Sequence, residues 1–149
     1  MQKFRLAAFT AASLLLATPL TASAQESPLT AGELVEVGMI KVDDGHNLDY
    51  ANYLASTWRK SQDYSKQQGW ISGYEIWSNE YPRVGEADLH LITYMSQIPD
   101  AVEAKKRDQM YRDYMAQTVA QLEASSAGRA QYRHQLGGML MRRQEWAKR

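Results

Sequence analysis

Between Asp43 and Ser96 the chain changes its hydrophobic period once, from helical to alternating, and that change limits the folds open to it. Tyr50, Tyr53, Leu54, Thr57, Trp58, Ser61 and Tyr64 recur at intervals of three and four residues, which places them on one stripe of a helix. Lys60, Asp63 and Lys66 fall on the other side. Asp43-Asp44-Gly45-His46 opens this helix with side-chain oxygens able to accept from exposed backbone donors. Gly69 closes it as a left-handed residue, with Trp70 folding back over the last turn. The pattern then switches to alternation over Trp70–Ser78 and Asp88–Ser96. Asn79, Pro82 and Gly85 lie between these runs, so the two strands are expected to pair antiparallel as a hairpin with a long tip.

Leu34 to Val42, just before the helix, is nearly continuous in apolar residues. It reads as a strand buried on both faces. After the hairpin, Pro99-Asp100 suits a helix start, and Val102, Met110, Tyr111, Tyr114, Met115, Val119 and Leu122 supply an apolar stripe. Ser125-Ser126-Ala127-Gly128 is read as an interruption, Arg129 to Gln135 as a further short helix, and Gly137-Gly138 as its stop. Met139 to Trp146 is read as a final strand, with a frayed helix as the alternative. The order strand, helix, strand, strand, helix, strand is that of the α+β, ferredoxin-like βαββαβ sandwich with an antiparallel sheet. Two helices cover one face of such a sheet. Here Tyr74 and Ile76 oppose Ile71 and Trp77, so both faces are apolar, and a homodimer is the expected cover for the second face.

The N-terminal 24 residues stand apart. Met1 to Arg5 is a short basic start, Leu6 to Ala17 is an apolar run, and Ala22-Ser23-Ala24 offers small residues to a signal peptidase. The run falls short of the roughly 20 residues that a helical bilayer span needs. Residues 1–24 therefore read as a cleavable signal peptide, 25–33 as a flexible leader and 34–149 as a single domain. The expected location is periplasmic or secreted, with no membrane partner after cleavage. No cysteine is present, which removes disulfides, thiolate nucleophiles and cysteine metal sites. The charge balance is near neutral and gives no reason to expect nucleic acid.

The element order, Val42-Asp43-Asp44-Gly45-His46 leading into Tyr50, Leu54 and Trp58, the Asp88-Leu89-His90-Leu91 strand after a hairpin containing Arg83, and Leu136-Gly137-Gly138 together resemble the dimeric α/β-barrel superfamily. Its members include antibiotic-biosynthesis-type monooxygenases and many small proteins of unknown role. The resemblance spans residues 34–147 and implies a fold and a dimer. Such barrels host unrelated functions, so it assigns none. Haem-degrading relatives use an asparagine, a tryptophan and a histidine. Asn47, Trp58, Trp77 and His90 do not reproduce their order, and those roles are not carried over.

Of the three histidines, His90 draws attention because it shares a strand face with Asp88, Ile92 and Tyr94, with Tyr74 or Ile76 expected opposite it. There it could act as general base, oriented by Asp88 or Tyr74, or as a haem ligand, or serve as a hydrogen-bonded core residue. His46 reads as a capping or solvent-exposed residue, with a ligand contact as the alternative, and His134 as a surface residue. No histidine pair has the one-turn spacing of a helical metal site, so no metal is assigned, and the cofactor is left unknown. Nine tyrosines and four tryptophans stand against two phenylalanines, so most aromatics carry a polar edge. Tyr50, Trp58, Trp77 and Tyr94 are candidate ligand contacts, with Arg83 for an anionic group, against the alternative that they fill core and interface. Three readings follow in this order: an exported dimer binding a small, partly apolar ligand; a small cofactor-independent or haem-dependent monooxygenase-like enzyme using His90; and a haem protein.

Overall fold

The computed structural model describes residues 27–148; the expected signal over residues 1–24 lies outside them. Its architecture is α+β, with one four-stranded antiparallel sheet in the order β2-β3-β1-β4. The strands are β1 (Leu29–Val42), β2 (Gly73–Ser78), β3 (Leu89–Met95) and β4 (Arg133–Trp146). Between β1 and β2 run α1 (Asn47–Tyr53), a π-helical segment (Leu54–Trp58) and α2 (Arg59–Gln67). Between β3 and β4 run α3 (Ala101–Met115) and α4 (Val119–Arg129).

β1 is central. It pairs with β3 from Leu34↔Met95 to Ile40↔Leu89 and with β4 from Leu29↔Trp146 to Val42↔Arg133. Leu34, Val37, Ile40 and Val42 are buried, as a strand enclosed on both sides requires. The expected flexible leader is corrected here: β1 begins at Leu29, because β4 is long enough to pair with Leu29 and Thr30 and to supply Ala147 N–H to the Pro28 carbonyl at 2.8 Å.

The helical layer is seated on β1 by a compact apolar cluster of Ile40, Val42, Tyr50 and Leu54, with Tyr53, Trp58, Leu89, Leu91 and Tyr132 packed around it. Gly69 has φ 71°, Trp70 N–H reaches the Ser65 carbonyl at 3.0 Å, and Gly69 N–H reaches Lys66 at 3.0 Å. These two bonds close α2 in the expected left-handed cap, and the Trp70 ring meets Tyr64 edge-on at 5.4 Å. The opening of α1 differs from expectation. His46 precedes it and no side chain caps it. The Asp43 carboxylate meets His134 Nε2 at 2.9 Å instead.

The second half departs further from the sequence reading. Pro99 lies before the helix rather than in it, since Asp100 is the N-cap of α3 and accepts from Glu103 N–H at 2.8 Å. The α3 stripe is not a core stripe: no α3 residue is buried, and Val102 is 83% exposed. α3 instead leans on α2, where Tyr64 stacks on Tyr114 at 4.0 Å and donates to the Met110 carbonyl at 3.3 Å. The break expected at Ser125–Gly128 falls at Ala116, which adopts φ 52°. Thr118 then starts α4 with a reciprocal cap: its hydroxyl accepts from Gln121 N–H, and Gln121 Oε1 accepts from Thr118 N–H at 2.9 Å. α4 therefore runs through Ser125–Gly128, and Arg133–Gln135 belongs to β4 rather than to a short helix. Thr118→Ala removes one arm of this cap and is expected to lower unfolding free energy by about 1 kcal/mol in urea denaturation, with the slope unchanged.

Candidate functional site

The sheet has two unlike faces. Tyr74 of β2 faces the helices, its ring edge-on to Trp58 at 5.3 Å. Between α1, the π-helical segment and β2 opens a cleft of about 770 Å³, within the 300–1,000 Å³ typical of ligand sites. Leu54, Ala55 and Trp58, all from the π-helical segment, form one wall, with Tyr50 and Ala51 of α1 beside them. Ile76 of β2 and Leu89 of β3 form the floor. Polar groups gather at the rim, namely Asn47, Arg59, Ser78, Asn79, Glu80 and Asp88. Single-turn π segments recur at functional sites, because the widened turn displaces side chains from regular helical positions.

Tyr50 anchors the inner wall and is 2% exposed. Burial pushes its phenol up to about 12, against the pull of Arg133 and Arg129, so the hydroxyl stays neutral at physiological pH. The Tyr74 hydroxyl donates to Asp63 Oδ1 at 2.6 Å, and that bond, followed by burial, raises its pKa. Asp88 sits just before β3 and accepts from Lys41 Nζ at 2.7 Å and from Val42 N–H at 2.8 Å. Burial pushes the Asp88 carboxyl up, but the Lys41 bond, the Val42 N–H and the Lys41 charge together hold it below the ordinary value. Lys41 is raised in turn, first by its bond to Asp88.

The residues singled out from sequence divide between the two faces. Tyr50, Trp58, Tyr74 and Asp88 line the cleft. His90, Trp77 and Tyr94 line a smaller hollow of about 260 Å³ on the opposite face, together with Val37, Ile92 and Met139. The residue opposite His90 on the hairpin is Trp77, not Tyr74 or Ile76. The three residues proposed for acid–base work therefore do not converge, because Tyr74 faces the helices and donates a hydrogen bond to Asp63, while Asp88 is engaged by Lys41 and Val42. Arg83, at the hairpin tip, keeps an 88% exposed side chain and pairs with Glu86 at 3.5 Å. His46 stacks on Tyr132 at 4.9 Å, places Nδ1 2.9 Å from Asp49 Oδ2 and does not line the cleft.

Ala51 and Ala55 were not singled out. Spaced four apart on the cleft side, they leave the room that larger side chains would fill, and two small residues between Tyr50, Leu54 and Trp58 were the available signal. Among the described residues, no group of three or more histidine, cysteine or acidic residues is placed to hold a metal ion, and no helix is long and apolar enough to cross a membrane. Compared with family models, curated proteins and solved structures, the chain matches none.

The depressed Asp88 carboxyl gives a pH prediction with a definite sign. A native pKa below the unfolded one contributes stability that is complete above the ordinary value of 3.8 and is lost as pH falls through the lower native value. Asp88→Asn leaves Lys41 without its carboxylate and should lower stability at pH 7. Its stability should also vary less than wild type's between pH 5 and 2 (about the range in which a paired aspartate titrates), as read by chemical denaturation at each pH.

Proposed function

We propose that the chain is an exported protein of the ferredoxin-like, dimeric α/β-barrel type that binds a small, partly apolar ligand in the cleft between the helical layer and β2. The observation carrying this reading is the cleft itself, with an aromatic and aliphatic wall built on a π-helical turn and amide and carboxylate groups confined to its rim. An apolar body would lie against Trp58, Leu54 and Ile76, while one polar end would meet Asn47, Asn79 or Arg59 at the rim. The strand order β2-β3-β1-β4, with helical crossovers after β1 and β3, is compatible with the split βαβ arrangement.

The other sheet face supports the dimer reading. Among the described residues no helix packs there, and Val35, Val37, Ile92, Met139 and Met141 surround His90 and Trp77. Trp77 remains 58% exposed, a cost that a second copy removes by burying the same patch on both partners. The edge of this face carries both signs, with Arg143 beside Glu33 and Glu75, so the patch can complement itself under a two-fold axis. In this assembly His90 belongs to the interface, and the sheet separates it from the ligand.

Two measurements test the two halves separately. Fluorescence titration with the neutral probe N-phenyl-1-naphthylamine should saturate, and Trp58→Ala should weaken it at least ~10-fold through the lost aromatic wall. Equal affinity in the variant would remove the cleft from the reading. Sedimentation of wild type should report a dimer. Met141→Glu, which places a charge on the β4 side of the patch, should weaken association by about 2 kcal/mol or more, roughly 30-fold.

A further inference from the structure

The cleft between the helical layer and β2 is lined by four charged residues, Arg59, Glu75, Glu80 and Asp88. Three of them are already committed. Arg59 Nε lies 3.8 Å from Asp63 Oδ2, and Asp63 also accepts from the Tyr74 hydroxyl. Asp88 meets Lys41 Nζ at 2.7 Å. Glu75 alternates with Tyr74 and Ile76 along β2, so its side chain falls on the other sheet face, where it accepts from Trp77 Nε1 at 2.7 Å. Glu80 is different. Ser78, on the cleft side of β2, donates to Glu80 Oε1 at 2.6 Å and holds that carboxylate at the mouth of the cleft. The ion pairs among the described residues leave Glu80 without a lysine or arginine.

The two ends of the cleft therefore differ in charge. At one end Trp58 meets Tyr74, and Arg59 with Asp63 is balanced. Ser78 lies four residues further along β2, about 13 Å at the rise of a strand, with Ile76 between. Asp88 belongs to the Ser78 end, since Asn79 N–H bonds the Asp88 carbonyl at 2.7 Å. That end thus holds two carboxylates, Glu80 and Asp88, against the single ammonium of Lys41, which does not itself line the cleft. An excess of one sign at the mouth of an apolar cleft attracts the opposite charge and repels its own.

We infer, on the basis of the ligand-binding reading above, that the cleft takes an amphipathic cation, an amine whose ammonium group meets Glu80 at the hairpin end. Its apolar body lies along Leu89, Ile76 and Leu54 toward Trp58. An ammonium carries three donors, and the Glu80 carboxylate together with the Asn47 amide oxygen supplies acceptors for them at the rim. A carboxylate ligand would face Glu80 and Asp88 at one end and an arginine already paired with Asp63 at the other. A neutral ligand of the same length gains the apolar contacts but leaves the charge of Glu80 uncompensated.

The test is a competition titration at pH 7. N-phenyl-1-naphthylamine is bound to the protein and displaced by three eight-carbon ligands, octylammonium, 1-octanol and octanoate. Octylammonium should displace the probe at a concentration at least ~5-fold below that of octanol, and octanoate should be the weakest of the three. Glu80→Gln should shrink the octylammonium-to-octanol ratio at least ~3-fold. Glu80 is exposed in the hairpin loop, so this variant keeps the fold. Octanol as tight as octylammonium, octanoate the tightest, or a ratio untouched by Glu80→Gln overturns the assignment of a cation while leaving a cleft that binds neutral ligands. A probe that never saturates, or whose binding ignores Trp58→Ala, removes the ligand-binding reading itself and the cation with it.

Discussion

The seat of Tyr50 on Ile40, Val42 and Leu54 is the contact on which the rest of this structure depends. Burying an aliphatic or aromatic side chain contributes about 1.5–3 kcal/mol, whereas an exposed ion pair contributes about 0–1. The one-turn pairs of α3, Arg107 with Glu103 and Arg112 with Asp108, therefore support a helix but cannot place it. What places the helical layer is the apolar seam, and Tyr50 is its largest fully buried side chain. Tyr50 also lines the cleft, so the residue that seats the helices is one wall of the candidate site.

The position of β1 explains why the second half of the chain is so weakly buried. With β3 and β4 on its two edges, β1 supplies Leu34, Ile40 and Val42 toward the helices and Val37 to the other face. α1, the π-helical segment and α2 occupy the ground above β1, β3 and β2. α3 is left to pack against α2 through Tyr64, Tyr114 and the Arg107 guanidinium over Trp70 at 5.4 Å. A helix held by aromatic edges and a cation has no need of a wide apolar stripe, and Val102 accordingly faces solvent.

Local chemistry made part of this readable before any coordinates. The stripe from Tyr50 to Tyr64, the Gly69 cap and the alternation on either side of Asn79–Glu86 each obey a short-range rule, and each element formed, although β2 begins at Gly73 rather than Trp70 and the helix carries a π-helical segment. Misreadings arose where a signal was local but went unweighed, or where tertiary pairing overrode it. Thr118 and Gln121 carry the spacing of a reciprocal cap, yet the small residues Ser125–Gly128 drew the helix break away from it. Leu29 and Thr30 are strand only because β4 reaches them, a long-range fact with no local mark. The site was half legible for the same reason. Aromatic stripes named Tyr50, Trp58 and Tyr74, but the π-helical turn that sets them around a cleft leaves no simple periodic trace.

The distribution of protonation chemistry bears on what the cleft can do. Burial of Tyr50 and the Tyr74 bond to Asp63 raise the pKa of both tyrosines, so each phenol stays neutral and neither is poised to exchange a proton near pH 7. Its aspartate is committed to Lys41 and to the β1 backbone, which fixes the mouth of the hairpin rather than leaving a free base. His90 lies in the hollow on the far side of the sheet, among Val37, Ile92 and Met139. A wall of neutral aromatics with fixed polar groups at its edge favours recognition by shape and desolvation.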